Sequence, residues 1–231
     1  MTQRNIQEPV VPFVNCIHDS HFASKFYSGG PGKAFRGGVY CGGSRESRVE
    51  DAVRTILLAL GENPQRTGLE KTPARVAESL RELTRGQREP LEPLLEGAVF
   101  DDPSQAMVLV KDIPFYSLCE HHLLPFFGKA HVAYVPDGRL IGLSKIPRLL
   151  EHFARRLQVQ ERLTEQVADA LNAVLSPRGL GVVLEATHLC MVMRGIQKEG
   201  SLAATSALRG SFLQDARTRA EFMTLIRPTE P

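Results

Sequence analysis

The order of helical and strand patterns along the sequence predicts an α+β fold. Apolar residues recur at the helical period of about 3.6 in the segments after residue 46, and apolar, β-branched runs typical of strands begin near residue 106. A second block of helices, a second block of strands and a closing helical segment follow. Because helices and strands come in blocks, an α+β arrangement is indicated.

Residues 1–45 are predicted to form a flexible N-terminal extension. They are rich in glycine and show neither helical nor strand periodicity. Basic residues without acids between 20 and 45 faintly resemble an organellar transit peptide, but the glycine content argues against that interpretation. We therefore divide the chain into the extension and a domain over 46–231, with a helical part over 46–100 and a sheet-containing part over 101–231.

Two helices and a shorter one are predicted before the first long strand. Ser47 and Glu50 have the spacing of a capping box, and Gly61 is a plausible stop. The apolar face of this first helix would contain Val49, Val53, Ile56, Leu57 and Leu60. A second helix begins at Thr72, with Pro73 in the first helical position, and ends at Gly86. A short helix is predicted over 90–97.

The rest of the chain is predicted to alternate between strands and helices. Strands are expected over 106–113, 129–135, 139–142, 181–192 and 202–208. One helix would begin after a cap at Ser144 and run to about Arg156, and another would carry Leu163 to Val174 in register. Asp215 would cap a closing helix that carries Phe222 and Leu225.

Composition excludes several classes of protein. The net charge of +2 does not indicate a nucleic-acid partner, so a site for a polyanion must come from locally clustered Lys and Arg. No run approaches the ~20 apolar residues of a membrane-spanning helix, and we expect no membrane partner. The N-terminus has no secretory apolar region. Four cysteines are too few for a disulfide scaffold, so we expect a reduced, cytoplasmic protein whose thiols could bind metal.

Cysteine and histidine cluster in two segments, 117–126 and 186–195. Cys119 and His122 have the C-x-x-H spacing by which a turn can bring a thiolate and an imidazole onto one ion. His188 and Cys190 would project from one face of the predicted strand. Two soft or borderline ligands from each segment suit zinc.

The spacing leaves the choice of ligands open. A closed structural site would use four of the available donors, whereas a catalytic site would use three and leave a position for water. We take Cys119, His122 and Cys190 as ligands and leave His121 and His188 for proton transfer. The alternatives are a structural zinc knuckle, or packed residues without metal, since a free Cys in an apolar strand usually packs as a small hydrophobe.

Positive side chains lie near both segments of the sequence. A helix that begins at Ser144 would present free N–H groups, which favour anions, and Lys145 and Arg148 would add charge. Arg194 follows Cys190, and Arg75 lies on the second helix. These residues could together hold a phosphate chain. The alternative is that they are solvated surface charges, as we assume for Arg155, Arg156 and Arg162.

Four motifs in this order resemble the GTP cyclohydrolase I family. They are "CEHH" at 119–122, "GLSK" at 142–145, "QVQERLT" at 158–164 and H-x-C-x-x-x-RG at 188–195. The similarity runs from about residue 48 to Arg227. It implies a T-fold, an antiparallel sheet with helices packed on one face, preceded by the N-terminal helical segment. It also implies ring-shaped homodecamers with active sites at subunit junctions.

The resemblance implies a reaction and assigns roles to residues. GTP and water would give formate and 7,8-dihydroneopterin triphosphate, the first step of folate and tetrahydrobiopterin synthesis. Zn²⁺ would be held by Cys119, His122 and Cys190, with His188 as proton donor to the ring and His121 as a second acid–base group. Glu161, with Gln160 beside it, matches the guanine anchor, because a carboxylate can accept two hydrogen bonds from that base. The triphosphate contacts would be Arg75, Ser144, Lys145, Arg148 and Arg194.

Three other functions were weighed against this one. The nitrile reductase of the queuosine pathway shares the T-fold, but it lacks the "CEHH" arrangement. A non-catalytic zinc-stabilised ring that acts as a binding or regulatory platform would be expected to lack a ligand or His188, and this chain has them all. A purely structural zinc protein would give no reason for Lys145, Arg148 and Arg194.

Overall fold

The structure is a computed structural model that describes residues 45–227. The predicted extension lies outside the described residues except for Arg45, so its flexibility and the domain boundary at residue 46 stay predictions. The N-terminal helices are α1 (Arg45–Ala59), α2 (Thr72–Leu83) and α3 (Glu92–Leu95), with a 3-10 turn at Arg85–Gln87. None of the described helices is long and apolar enough to cross a membrane.

The strands and the remaining helices follow in chain order. The strands are β1 (Val99–Asp101), β2 (Val108–Cys119), β3 (Pro125–Val135), β4 (Arg139–Ile141), β5 (Leu157–Gln158), β6 (Gly179–His188) and β7 (Ala203–Gly210). The helices are α4 (Lys145–Ala154), α5 (Gln160–Leu175), α6 (Leu189–Val192), α7 (Ser211–Gln214) and α8 (Ala216–Ile226).

Five strands form one sheet in the order β5-β2-β3-β6-β7. The pairs β2–β3, β3–β6 and β6–β7 are antiparallel, and only the short β5 runs parallel to its neighbour β2. β4 does not extend this sheet but pairs with β1 in a separate antiparallel ribbon. The α+β prediction is confirmed, and this antiparallel sheet with its helices is the T-fold arrangement that the resemblance implied.

The main core lies between one face of the sheet and helices α4 and α5. Alternate residues of β3, among them Val132 and Tyr134, point to this face, because side chains along a strand project to opposite sides. The helices contribute a stripe of fully buried residues at helical spacing: Ile146, Leu149, Leu150, Leu163, Val167 and Leu171. On the opposite face, α7 and α8 cover a smaller cluster of Ala133, Val183, Phe212 and Phe222.

The sequence predictions for the helices were partly right. Asp215 caps α8 by accepting a hydrogen bond from the Arg217 N–H, as predicted, and Phe222 is buried while Leu225 is exposed. Helix α1 already begins at Arg45, so Ser47 lies inside the helix and does not cap it. Within the predicted apolar face of α1, Val53 is buried, whereas Ile56 and Leu60 are 56% and 73% exposed.

Three strand predictions were wrong in extent. β3 begins at Pro125 and not at residue 129. β2 continues past residue 113 to Cys119, through a bulge at which Asp112 adopts a φ of 58°. The Asp112 N–H donates to Nδ1 of the buried His131 at 3.2 Å, which satisfies a backbone group that the bulge removes from the ladder. The strand predicted over 181–192 ends at His188, and Leu189–Val192 form the helical turn α6.

Candidate metal centre and proton-transfer site

The turn that follows β2 presents the first two candidate metal ligands. Cys119 ends the strand, and the N–H groups of His122 and Leu123 both donate to its carbonyl oxygen, at 3.3 and 2.8 Å. Leu123 adopts a φ of 54°, which reverses the chain toward β3. The Cys119 side chain is buried at the base of this turn, and Nδ1 of His122 lies 3.8 Å from its Sγ atom.

Cys190, which lies just after the end of β6, completes a group of three donors. One ligand atom each from Cys119, His122 and Cys190 lie within 4.8 Å of one another. The predicted reason for this meeting was wrong, because Cys190 lies in the first turn of α6 and not on a strand face with His188. The sheet still brings the segments together, since β3 lies between β2 and β6 and pairs Phe126 with His188.

The donor set fits a zinc ion. Zn–S and Zn–N bonds of ~2.3 and ~2.0 Å place tetrahedral ligands roughly 3.5–4 Å apart, so the observed spread needs only small side-chain adjustments. Burial raises the pKa of the Cys190 thiol, and the adjacent Cys119 raises it further, while Arg194 opposes this. Two neighbouring thiolates are therefore unfavourable by themselves, and a divalent cation between them removes that penalty.

His121 lies beside this group but is not part of it. Its side chain is 65% exposed, its Nδ1 is 3.8 Å from the Cys119 Sγ atom, and its Nε2 is 4.0 Å from a carboxylate oxygen of Glu120. An exposed imidazole next to a metal site can exchange protons with solvent. The acid–base role that the resemblance implied for His121 stays a prediction.

His188 is held in place on two sides. Its ring stacks on Phe126 with centroids 4.6 Å apart and planes 2° from parallel, and its Nε2 lies 2.8 Å from Oε1 of Gln160. Burial lowers the pKa of His188, and the negative charge of Glu161 raises it in part. Phe126 was not singled out from the sequence. It lies only seven residues after Cys119, in the strand that follows, and this spacing would have suggested that it lies near the metal-binding turn.

A model of the family described as GTP cyclohydrolase I matches residues 49–227 of this chain. The chain belongs to the GTP cyclohydrolase I family. Three similar proteins are "GTP cyclohydrolase 1 2" of Nostoc sp. (60% identity, 79% of this chain and 84% of that one), "GTP cyclohydrolase 1" of Chlorobaculum tepidum (61%, 77% and 80%) and "GTP cyclohydrolase 1" of Campylobacter lari (56%, 78% and 95%).

One solved structure is more distantly similar. The archaeosine synthase QueF-Like in the apo form covers 47% of this chain and 96% of its own, with a TM-score of 0.38 and 16% identity. Similarity at this level says nothing about the substrate of the GTP cyclohydrolase I chain.

The predicted triphosphate contacts make different interactions within the described residues. Arg194 is close enough to Cys190 to lower its pKa, but in residues 45–227 no hydrogen bond or ion pair joins Arg75 or Arg148 to the metal group. Arg148 instead lines a separate cavity of about 170 Å³ with Arg85, Glu151 and His152. Lys145, at the start of α4, donates to the Leu94 carbonyl at 2.8 Å.

Arg162, which the sequence left as a surface charge, connects to the metal-binding turn. Its guanidinium donates to the carboxylate of Glu120 and, at 2.9 Å, to the side-chain oxygen of Gln158. Gln158 in turn accepts the Glu120 N–H through its backbone carbonyl at 3.0 Å. The opposite charges in "CEHH" and "QVQERLT" were the available signal, but only the β2–β5 pairing shows that these motifs lie side by side.

Proposed function

We propose that this protein opens the guanine ring of GTP by hydrolysis, releases formate and forms 7,8-dihydroneopterin triphosphate, with Zn²⁺ held by Cys119, His122 and Cys190. One observation carries the proposal: three soft or borderline donors converge within 4.8 Å beside a half-buried, oriented histidine. Membership of the GTP cyclohydrolase I family supplies the substrate. The product begins folate and tetrahydrobiopterin synthesis.

The metal and the histidines have separate tasks in this proposal. Zinc with three protein ligands lowers the pKa of water and so supplies a nucleophile near neutral pH. His188 donates a proton to the imidazole ring of guanine, which makes the carbon between the ring nitrogens more electrophilic. His121, exposed to solvent, carries the proton transfers of ring opening and of the later rearrangement.

Glu161 anchors the base in this proposal. Glu161 follows Gln160 in the first turn of α5, and its side chain is exposed and can face a ligand. Its negative charge raises the pKa of His188. A carboxylate there can accept two hydrogen bonds from the N–H and amino edge of guanine. That contact would hold the ring beside His188 while the rest of the substrate passes through several intermediates.

The triphosphate is proposed to bind Arg75, Ser144, Lys145, Arg148 and Arg194. We infer that a second subunit supplies part of this set, because the resemblance to the family implies active sites at subunit junctions. Exposed apolar residues, including Ile56, Leu60, Met193 and Ile196, suit burial between copies. We therefore propose a homo-oligomer, the decamer of the family, in the cytoplasm, where thiol ligands stay reduced.

Incubation of the zinc-loaded protein with GTP tests the function directly. We expect formate release and, after oxidation and dephosphorylation, a fluorescent pterin, with neither product in a chelator-treated control. Zinc-loaded protein that binds GTP but yields neither product would refute the proposal. A non-catalytic ring is not proposed, because no observation on the described residues favours it.

A further inference from the structure

Both polar atoms of the Gln160 side-chain amide are hydrogen-bonded to other residues of the protein. It is only 2% exposed, and its Nε2 lies 3.0 Å from the Leu184 carbonyl, 2.9 Å from the Ala203 carbonyl and 3.1 Å from Oγ1 of Thr205. The two carbonyl oxygens can only accept hydrogen bonds, so the NH₂ group must face them. The amide oxygen is thereby turned toward His188, where Oε1 and Nε2 are 2.8 Å apart.

This orientation fixes the tautomer of His188. An amide oxygen only accepts, so the neutral imidazole must carry its hydrogen on Nε2 and present Nδ1 as a lone pair. Among the residues that the structure describes, no hydrogen bond reaches Nδ1. The stacked Phe126 ring holds the plane of the imidazole, and the bond to Gln160 sets the rotation within that plane.

We propose that Gln160 is a positioning residue that makes Nδ1 of His188 the nitrogen that exchanges protons with the substrate. In the transfer, His188 first takes up a proton from solvent at Nδ1, and the Nδ1–H bond then breaks as an N–H bond to the base forms. The other hydrogen stays covalently bound to Nε2 and donated to Oε1 of Gln160 throughout. This assignment differs from the guanine contact expected from the family motif, because both polar atoms of the Gln160 side chain are already hydrogen-bonded inside the protein. It rests on the proposed role of His188 in the GTP cyclohydrolase reaction.

The carbonyls of Leu184 and Ala203 alone prevent the amide from turning, whereas Thr164 bonds only to the main chain of Gln160 and to Thr205. Thr164 donates to the Gln160 carbonyl at 2.8 Å, and its hydroxyl lies 2.7 Å from that of Thr205, which also contacts the amide. These bonds connect one helical turn to the β6–β7 ladder, in which Leu184 pairs with Thr205. The Thr164 hydroxyl is not hydrogen-bonded to His188, so Thr164→Val provides a control that removes buried hydrogen bonds of the same region without removing the acceptor for Nε2–H.

A double-mutant cycle on the full-length protein separates positioning from substrate binding. We expect Gln160→Leu to lower kcat for formate release about 10- to 100-fold, the usual effect of losing an orienting partner, and Thr164→Val to change it by less than about 3-fold. In a His188→Ala background, Gln160→Leu should change the residual rate by less than about 2-fold, because its effect acts through His188.

The affinity for GTP distinguishes a positioning role of Gln160 from a direct contact with the guanine base. The GTP dissociation constant, measured on metal-free protein, should be within about 2-fold of wild type for Gln160→Leu. A large rise in that constant, or a loss of rate that persists in the His188→Ala background, would overturn the proposal. If the leucine variant does not fold, Gln160→Met, unbranched and similar in length, replaces it in the cycle.

A spectroscopic measurement keeps this inference separate from the function itself. Magic-angle-spinning NMR of sedimented, ¹⁵N-histidine-labelled protein, with the His188 signal assigned by its loss in His188→Ala, reports which nitrogen is protonated. We expect Nε2–H in the wild type and in Thr164→Val, and a mixture in Gln160→Leu. Nδ1–H in the wild type would refute the positioning role even if formate is released, whereas absent formate with Nε2–H present would refute only the proposed function.

Discussion

Stability should fall in mild acid because His152 is buried as a neutral imidazole. The ring is 7% exposed, and Nε2 accepts a hydrogen bond from the Arg156 guanidinium at 2.5 Å. Burial, and to a smaller extent the Arg156 charge, lower its pKa from the ordinary 6.5 to about 4 against the opposing charge of Glu92. The unfolded chain therefore binds more protons than the folded chain between those two values, so the free energy of unfolding must decrease as pH falls through this window.

The two pKa values determine the expected size of the effect. The full gap corresponds to about 3 kcal/mol, reached near pH 4, and about 2 kcal/mol of it is lost between pH 7 and pH 5. The stabilisation is fully present above about pH 6.5. His152→Gln removes the titrating group but keeps an oxygen that can accept from Arg156, so its unfolding free energy should depend less on pH by these amounts.

Urea unfolding at fixed protein concentration measures the difference. Both proteins are treated with chelator, because metal release in acid would otherwise add its own pH dependence. We expect the gap between wild type and His152→Gln to change by about 2 kcal/mol from pH 7 to pH 5. Parallel curves, within about 0.5 kcal/mol, would show that His152 does not titrate as its burial requires.

Three further changes test the site and the sheet. Cys190→Ala should lose zinc on dialysis and all ring opening. The control is Cys16→Ala, which should keep both, because Cys16 has no partner at ligand spacing. Zinc retained by Cys190→Ala would remove Cys190 from the ligand set. His188→Ala should keep zinc, measured by elemental analysis, but lose about 10²- to 10⁴-fold in rate; a parallel loss of zinc would reassign it as a ligand. Gly128→Ala should lower the free energy of unfolding in urea by about 3 kcal/mol, because its Cβ would lie 1.8 Å from the Glu185 carbonyl oxygen. The control is Gly142→Ala, whose Cβ would meet nothing nearer than 3.8 Å. Equal stabilities of the two variants would contradict the close approach of β3 and β6 at Gly128.

Helices with a strong apolar period were the parts of the fold that the sequence predicted best. α4 and α5 begin and end close to the expected residues because Ile146, Leu150, Leu163 and Val167 repeat on one face and bury against the sheet. The face of α1 shows the same period, yet much of it is exposed. Periodicity identifies the side of a helix that needs a partner but not whether the same chain supplies it.

The three donors that the structure brings together are those that the sequence singled out, but the reason given for their meeting was partly wrong. An apolar run such as Leu189–Val192 is compatible with a strand or a helical turn, and four residues are too few for a period to distinguish them. The sequence also could not show that Gln160 faces His188, because this depends on which carbonyls of β6 and β7 the amide reaches. Local patterns give ligand types and spacing, whereas orientation comes from tertiary contacts.

X-ray absorption at the zinc edge of the purified protein tests the central claim most directly. If Cys119, His122 and Cys190 hold a catalytic ion, the spectrum should contain two sulfur neighbours at ~2.3 Å, one imidazole nitrogen at ~2.0 Å and one further light atom in the open position. Cys190→Ala should leave at most one sulfur, and His121→Ala should leave the spectrum unchanged. Four protein ligands, or a single sulfur in the wild type, would contradict the proposed three-ligand site.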